Sequence, residues 1–193
     1  MRYSAEHKQQ TRARIVRAAA RRFRSRGSEG AAIAALMRDL RLTHGGFYRH
    51  FGSKEELFAE TFAHGLNEVA ERIGAAVARA PKGSELKAII DAYLSVEHCE
   101  NVAEGCPVAA LAAELARRPP AARAAFLRVL RDHVKRVGKY VPGATEEERS
   151  RNAVVLLSGM AGTLNVARAM ADVAQRRRVL DDAKRFYLQA LRA

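Results

Sequence analysis

Residues 40 to 58 read LRLTHGGFYRHFGSKEELF, a short capped helix, a turn and the capped start of a longer helix. Thr43 is a good helix N-cap, and Phe47 and Phe51, one helical turn apart, anchor a single face. At about 100° per residue, Gly45 and Arg49 then point the other way, with Gly46, Tyr48 and His50 on the flanks. The free face is small, polar and cationic. Inside a helix each glycine costs about 1 kcal/mol relative to alanine, so Gly-Gly signals something that must approach the backbone closely. Gly52 can end this short helix, and Ser53 to Glu56 is an S-x-x-E capping box that opens the next one.

Charge reinforces that reading. Residues 1 to 54 carry 13 Lys/Arg and 3 Asp/Glu, whereas residues 55 to 193 carry 21 and 18, so most of the net +13 sits at one end. A basic pole on a small domain is the footprint of a nucleic-acid or anionic-membrane partner. A membrane-surface helix needs large apolar side chains opposite its basic face, and Ile15, Ala18 and Ala19 make only a modest seam, suited to packing on protein. Arg14, Arg17, Arg21 and Arg24 lie opposite that seam and read as a solvent-facing cationic stripe. Arg22 falls near the seam and is expected to snorkel outward.

Composition favours an all-α protein: tryptophan is absent, aromatics are few, and Ala, Leu, Arg and Glu abound. About nine helices are expected, at 8–26, 32–39, 44–51, 54–80, 85–98, 107–117, 120–139, 146–171 and 177–191. The fourth is the clearest, with Phe58, Phe62, Leu66, Val69, Ile73 and Val77 in one stripe, and it would join the basic head to the rest. No run of about 18 apolar residues predicts a membrane span. The opening MRYSAEHKQQ lacks the apolar core of a signal peptide, so the cytoplasm is the expected compartment. Two cysteines are too few for a disulfide framework or a structural zinc site.

The order of a basic first helix, a helix-turn-helix containing THGGFYRHF, and then GSKEELF resembles the DNA-binding domain of TetR/AcrR-type transcriptional regulators, over about residues 8 to 60. The resemblance implies a helix-turn-helix domain at 1–53 and a ligand-binding and dimerisation domain at 54–193. It implies a repressor released from a palindromic operator by a small-molecule inducer. The third helix would enter the major groove, with His44, Gly45 and Tyr48 facing base edges. Thr43, Gly46, Arg49, His50 and Lys54 would hold phosphates or the groove wall, with a guanine edge as the alternative for Arg49. Two departures from the family pattern stand out. Asp39, Leu40 and Arg41 occupy a turn that usually carries glycine, so Arg41 is expected in a strained or left-handed conformation. Ala31, Ala32, Ile33 and Ala34 replace the usual Ser/Thr cap of helix two, which should therefore touch DNA less, with Arg38 as a partial substitute.

Half-sites on such operators lie about 34 Å apart or a multiple of that, so the body must dimerise. The expected interface is the helix pair at about 146–171 and 177–191. Thr145 to Glu148 opens the first with a capping box, and Val154, Leu157, Met160, Ala161 and Leu164 line it, while Gly159, Gly162 and Thr163 admit a partner backbone. Val179, Leu180, Ala183, Phe186, Tyr187 and Leu191 complete the pair, with closure of an intramolecular core as the other reading. Phe62, Tyr93, Leu111, Phe126, His133 and Met160 are candidates for lining an inducer pocket, and each also reads as plain core. His98 and Asn165 are ambiguous in the same way.

Cys106, at a helix start before Pro107, is a further pocket candidate and a candidate electrophile or oxidant sensor, with Cys99 as its resolving partner. Its alternative is a small buried residue at a cap. No H-E-x-x-H, C-x-x-C or glycine-rich phosphate loop occurs, so no metal, cofactor or enzymatic activity is expected. A cysteine hydrolase using Cys106 with His133 or His98 is the remote alternative. A ligand-free architectural DNA binder is the other, though it would not need so large a helical body.

Overall fold

Side-chain caps set the long helices. In a computed structural model describing residues 5–28 and 32–191, Ser53 Oγ accepts from the Glu56 amide at 3.1 Å to open α4 (Lys54–Arg79). Thr145 Oγ1 accepts from the Glu148 amide at 3.1 Å to open α9 (Glu146–Ala169). In both boxes the glutamate reaches back past the cap, Glu56 to the Gly52 amide and Glu148 to the Ala144 amide, each at 2.7 Å. Asp172 Oδ1 accepts from the Ala174 and Gln175 amides, so α10 runs Val173–Ala190 and starts four residues before its predicted position.

Every regular element among the described residues is helical. The head holds α1 (Ala5–Arg26), α2 (Ile33–Asp39) and α3 (His44–Phe47). The helix expected over 44–51 ends early because the amides of Arg49 and His50 reach carbonyls only three residues back, at Gly46 and Phe47. Two glycines in so short a helix leave little to hold an α-helical spacing. The stretch expected as one helix over 85–98 divides into α5 (Glu85–Tyr93) and α6 (Val96–Glu100), with Ser95 capping the second through the His98 amide. A 3-10 turn (Val102–Glu104), α7 (Pro107–Leu115) and α8 (Pro120–Gly138) follow.

The stripe of α4 is buried as read at Phe58, Phe62, Leu66, Val69 and Ile73. This helix packs against α1 on one side and against α5, α7 and α8 on others, so it spans head and body. Arg24 corrects the expected cationic stripe. Arg14, Arg17 and Arg21 are exposed, but Arg24 is buried: its Nε donates to the Ala103 carbonyl at 2.5 Å and its Nη2 to Glu68 at 3.0 Å. Because α1 packs against α4, α7 and the 3-10 turn, its buried arc is wider than one stripe. A Cβ at Gly65 would collide with Arg24 Nη1, so that glycine makes the room. Arg22 does not simply snorkel; it donates to Asp39 at 2.7 Å and ties α1 to the end of α2.

The expected interface helices also need correction. Leu157, Met160, Ala161, Leu164 and Leu180 are buried within the protomer, and a Cβ at Gly159 would strike the Tyr187 hydroxyl. These residues therefore pack inside the protomer, Leu157 toward α4 and α8 and Gly159 against Tyr187 of α10. Gly162 has open space around it, and Val155, Val166 and Phe186 stay largely exposed.

Candidate nucleic-acid interface and ligand cavity

The turn between α2 and α3 is built on an arginine in the left-handed region. Arg41 has φ 59°, the Leu42 amide reaches the Met37 carbonyl at 2.8 Å, and the Arg41 amide reaches Arg38 at 2.9 Å. That pair of bonds is a Schellman motif with Arg41 at the position glycine usually fills. For a residue bearing a Cβ, this conformation costs on the order of 1 kcal/mol. The expected left-handed turn is present.

Thr43 caps α3 by accepting from the Gly46 amide at 3.1 Å. Phe47 and Phe51 are buried and stacked with centroids 5.4 Å apart, which fixes the opposite face outward. Tyr48 is 63% exposed and stands edge-on to both His44 and Phe47. The two glycines differ. At Gly46 a Cβ would sit tightly against Thr43 Oγ1 at 3.2 Å and press on the cap, whereas at Gly45 it would meet nothing among the described residues within 4 Å. Packing among the described residues does not require Gly45.

The cations of the head fall into two sets. Arg12 lies over the Phe51 ring at 4.1 Å and pairs with Glu56 and Glu60; Arg21 pairs with Glu104, Arg22 with Asp39 and Arg24 with Glu68. Among the described residues Lys8, Arg14, Arg17, Arg26, Arg38, Arg41, Arg49 and Lys54 have no acidic partner. Lys8, Arg41 and Arg49 border one groove of about 710 Å³ with Thr43, Gly46 and His50. Burial, then Lys8, Arg12 and Arg49, hold the His50 imidazole below its ordinary pKa, and its Nδ1 is buried without a partner. Of this cluster, reasoning from sequence missed Lys8 and treated Arg41 only as turn geometry. Their spacing of a whole helix and turn hides the shared groove.

In the body, Tyr93, Cys106 and His133 line a common cavity of about 50 Å³ between α4, α5, α7, α8 and α9. The other pocket candidates are elsewhere: Phe62 packs edge-on against Phe126 at 4.7 Å, and Leu111 and Met160 are buried in the core. Cys106 is the N-cap of α7, buried, with its thiol against the Tyr93 hydroxyl. Burial, with Cys106 adding to it, pushes the Tyr93 hydroxyl well up, so it stays protonated. Burial likewise pushes the Cys99 thiol up. His98 has both ring nitrogens engaged: Nδ1 lies 2.6 Å from the Tyr93 carbonyl, and Nε2 accepts from the Cys106 amide at 2.9 Å. Nδ1 therefore carries the hydrogen, and burial lowers the imidazole pKa to about 4. With Nε2 occupied by a backbone amide, His98 is not placed to take a proton from the thiol.

Fold and interface thus define an all-helical regulator with a basic helix-turn-helix head. The model of bacterial regulatory proteins of the tetR family matches residues 15–61, and that of the tetracyclin repressor-like C-terminal domain matches residues 83–187. The chain belongs to the TetR family and is a ligand-responsive, DNA-binding transcriptional regulator, of a kind typically not enzymatic. Similar solved structures include a TetR transcriptional regulator from Chloroflexus aurantiacus, 24% identical over 95% of both chains with a TM-score of 0.77. A TetR-family regulator from Cytophaga hutchinsonii is 18% identical over 97% of this chain and 98% of that one, with a TM-score of 0.78. The reduced form of NemR from E. coli is 16% identical over 93% and 96%, with a TM-score of 0.76. At such identities these likenesses bear on the fold alone. No curated protein matches the chain. Among the described residues no helix is long and apolar enough to cross a membrane.

Proposed function

We propose that the protein is a homodimeric repressor whose α3 reads a palindromic operator and whose body releases it when an inducer binds. The observation that carries the reading is the division of cations. Arg12, Arg21, Arg22 and Arg24 are neutralised within the fold, whereas Lys8, Arg41, Arg49 and Lys54, without an acidic partner among the described residues, gather around α3 and the start of α4. In this reading His44, Gly45 and Tyr48 face base edges, and Thr43, Gly46, Arg49, His50 and Lys54 hold phosphate, joined by Lys8 and Arg41. Open space at Gly45 supports close approach of a groove wall. The reading and dimerisation functions divide at residues 53 and 54. A second copy covers α9 and α10 through Val155, Gly162, Val166 and Phe186, the apolar and small positions that the protomer leaves exposed.

Selection of bound fragments from random DNA tests this. Enrichment of a palindrome by a dimer, with affinity falling steeply as salt rises, is the expected result. A chain that stays monomeric at micromolar concentration, or that selects no palindrome, overturns it.

A further inference from the structure

The cavity behind Tyr93 has a chemistry specific enough to name the class of its occupant. No Lys, Arg, Asp or Glu lines it. Leu66, Leu130, Val134 and Leu157 supply apolar wall, and Ser158 contributes a hydroxyl on the exposed side of α9. The Tyr93 hydroxyl is already joined to the Cys106 thiol. His133 is different: it is 3% exposed, lines the same space, and its Nδ1 has no hydrogen-bond partner. Burial, with Arg136 adding to it, lowers its pKa to about 4, so the imidazole is neutral at ordinary pH.

These features restrict what can bind. An ion brought against this wall would lose its hydration and find no opposite charge. A wholly apolar molecule would leave His133 unpaired, which costs roughly 1–3 kcal/mol for a buried polar group. We infer that the effector is a compact, uncharged organic molecule with one hydrogen-bonding group, its body against the leucines and valine and its polar atom on His133. This rests on the proposal that the body holds an inducer, and it deepens that proposal. Size adds a consequence. A dry cavity of about 150 Å³ accepts benzene, and the space here is about 50 Å³. A ring therefore enters only as α8 moves off α4, and that displacement is available to the head.

A second depression, of about 410 Å³, lies on the other side of Tyr93 and carries Arg72, Arg79, Glu97 and Glu104. It suits ions, so a series of probes differing in charge separates the two. Calorimetric titration of the full chain near neutral pH with phenol, toluene, benzoate and benzylammonium is the test. Phenol should bind about tenfold tighter or better than each of the other three. His133→Phe should erase the preference of phenol over toluene, and His133→Asn, which keeps a hydrogen-bonding side chain, should retain it. The inference is overturned if phenol does not bind, if either ion or toluene binds the unaltered protein as tightly, or if the preference survives in His133→Phe. The series on the unaltered protein stands even where a variant fails to fold. Phenol binding without release of operator DNA would break the repressor reading and leave the ligand class intact. Release by benzoate would do the opposite.

Discussion

Two seams run along α4, and they differ in how they are fastened, since the one toward α1 adds ion pairs to the apolar contact of Phe23 with Phe58. Toward the head, Arg12 holds Glu56 and Glu60 and Arg24 holds Glu68, while Arg118, from the segment between α7 and α8, holds Glu55 at 2.8 Å. Toward α8 the contact is uncharged, through Phe62 against Phe126, Leu66, His133 and Val134. Ion pairs with hydrogen-bond geometry weaken steeply over a displacement of an ångström or so, whereas apolar surfaces slide and part at lower directional cost. In the proposed mechanism the uncharged seam is the one that opens for a ligand, and the seam with ion pairs carries the resulting shift to the head. Coupling needs both properties in one helix, since a ligand shifts the equilibrium only by its difference in affinity for the two states.

The largest expected effect breaks the charged seam. Arg24→Met should destabilise the fold by about 3 kcal/mol, because it leaves the Ala103 carbonyl and Glu68 without their buried cation. Urea unfolding measures it, and a loss under about 1 kcal/mol would mean that apolar packing alone holds the head. Operator affinity should fall as well.

Acid sharpens the comparison from the other side. His98 and His133 titrate near 4 in the folded protein, against an ordinary 6.5. Above pH 6.5 both states bind no proton there and stability is flat. As pH falls from 6.5 to about 4, the unfolded chain takes up protons that the native state refuses, so stability is lost. Each histidine contributes a slope of about 1.4 kcal/mol per pH unit, or about 2 kcal/mol by pH 5. His133→Phe should halve the slope contributed by this pair, read from denaturation curves at neutral pH and at pH 5. An unchanged slope would mean that His133 is protonated in place.

At the interface the effects are smaller. Arg49→Ala should weaken operator binding about tenfold and lower the salt slope by about 1, with unfolding unchanged. A loss confined to one base step would assign Arg49 to a guanine edge instead of phosphate.

The head was legible in the sequence because its determinants are local. Thr43 with Gly46, Phe47 with Phe51, and Ser53 with Glu56 all act within one helical turn, and spacing alone reports them. Arg24 was misread because its partners lie far along the chain, at Glu68 and Ala103, and no local period announces them. The division of α9 between intramolecular and exposed faces was likewise hidden, since Gly159 admits Tyr187 of the same chain and not a second copy. Of the pocket candidates, Tyr93, Cys106 and His133 share the cavity, whereas Phe62 packs on Phe126 and Met160 is buried in the core, and spacing along the chain does not separate the two groups.

The smallest expected effect has two signs. Arg41→Gly should stabilise the protein, by about 0.5–1 kcal/mol, since glycine adopts a left-handed turn without the Cβ clash and the gain outweighs its added freedom when unfolded. The same change removes an unpaired cation from the groove bordered by Lys8 and Arg49, so DNA affinity should fall several-fold and the salt slope by about 1. A side chain kept in a strained position against its own fold's stability is what a contact residue looks like. If thermal unfolding shows the gain while binding and salt slope stay unchanged, Arg41 is a turn residue alone. If both move as stated, the cations that face DNA include one that helical spacing could not place there, because it sits in the turn.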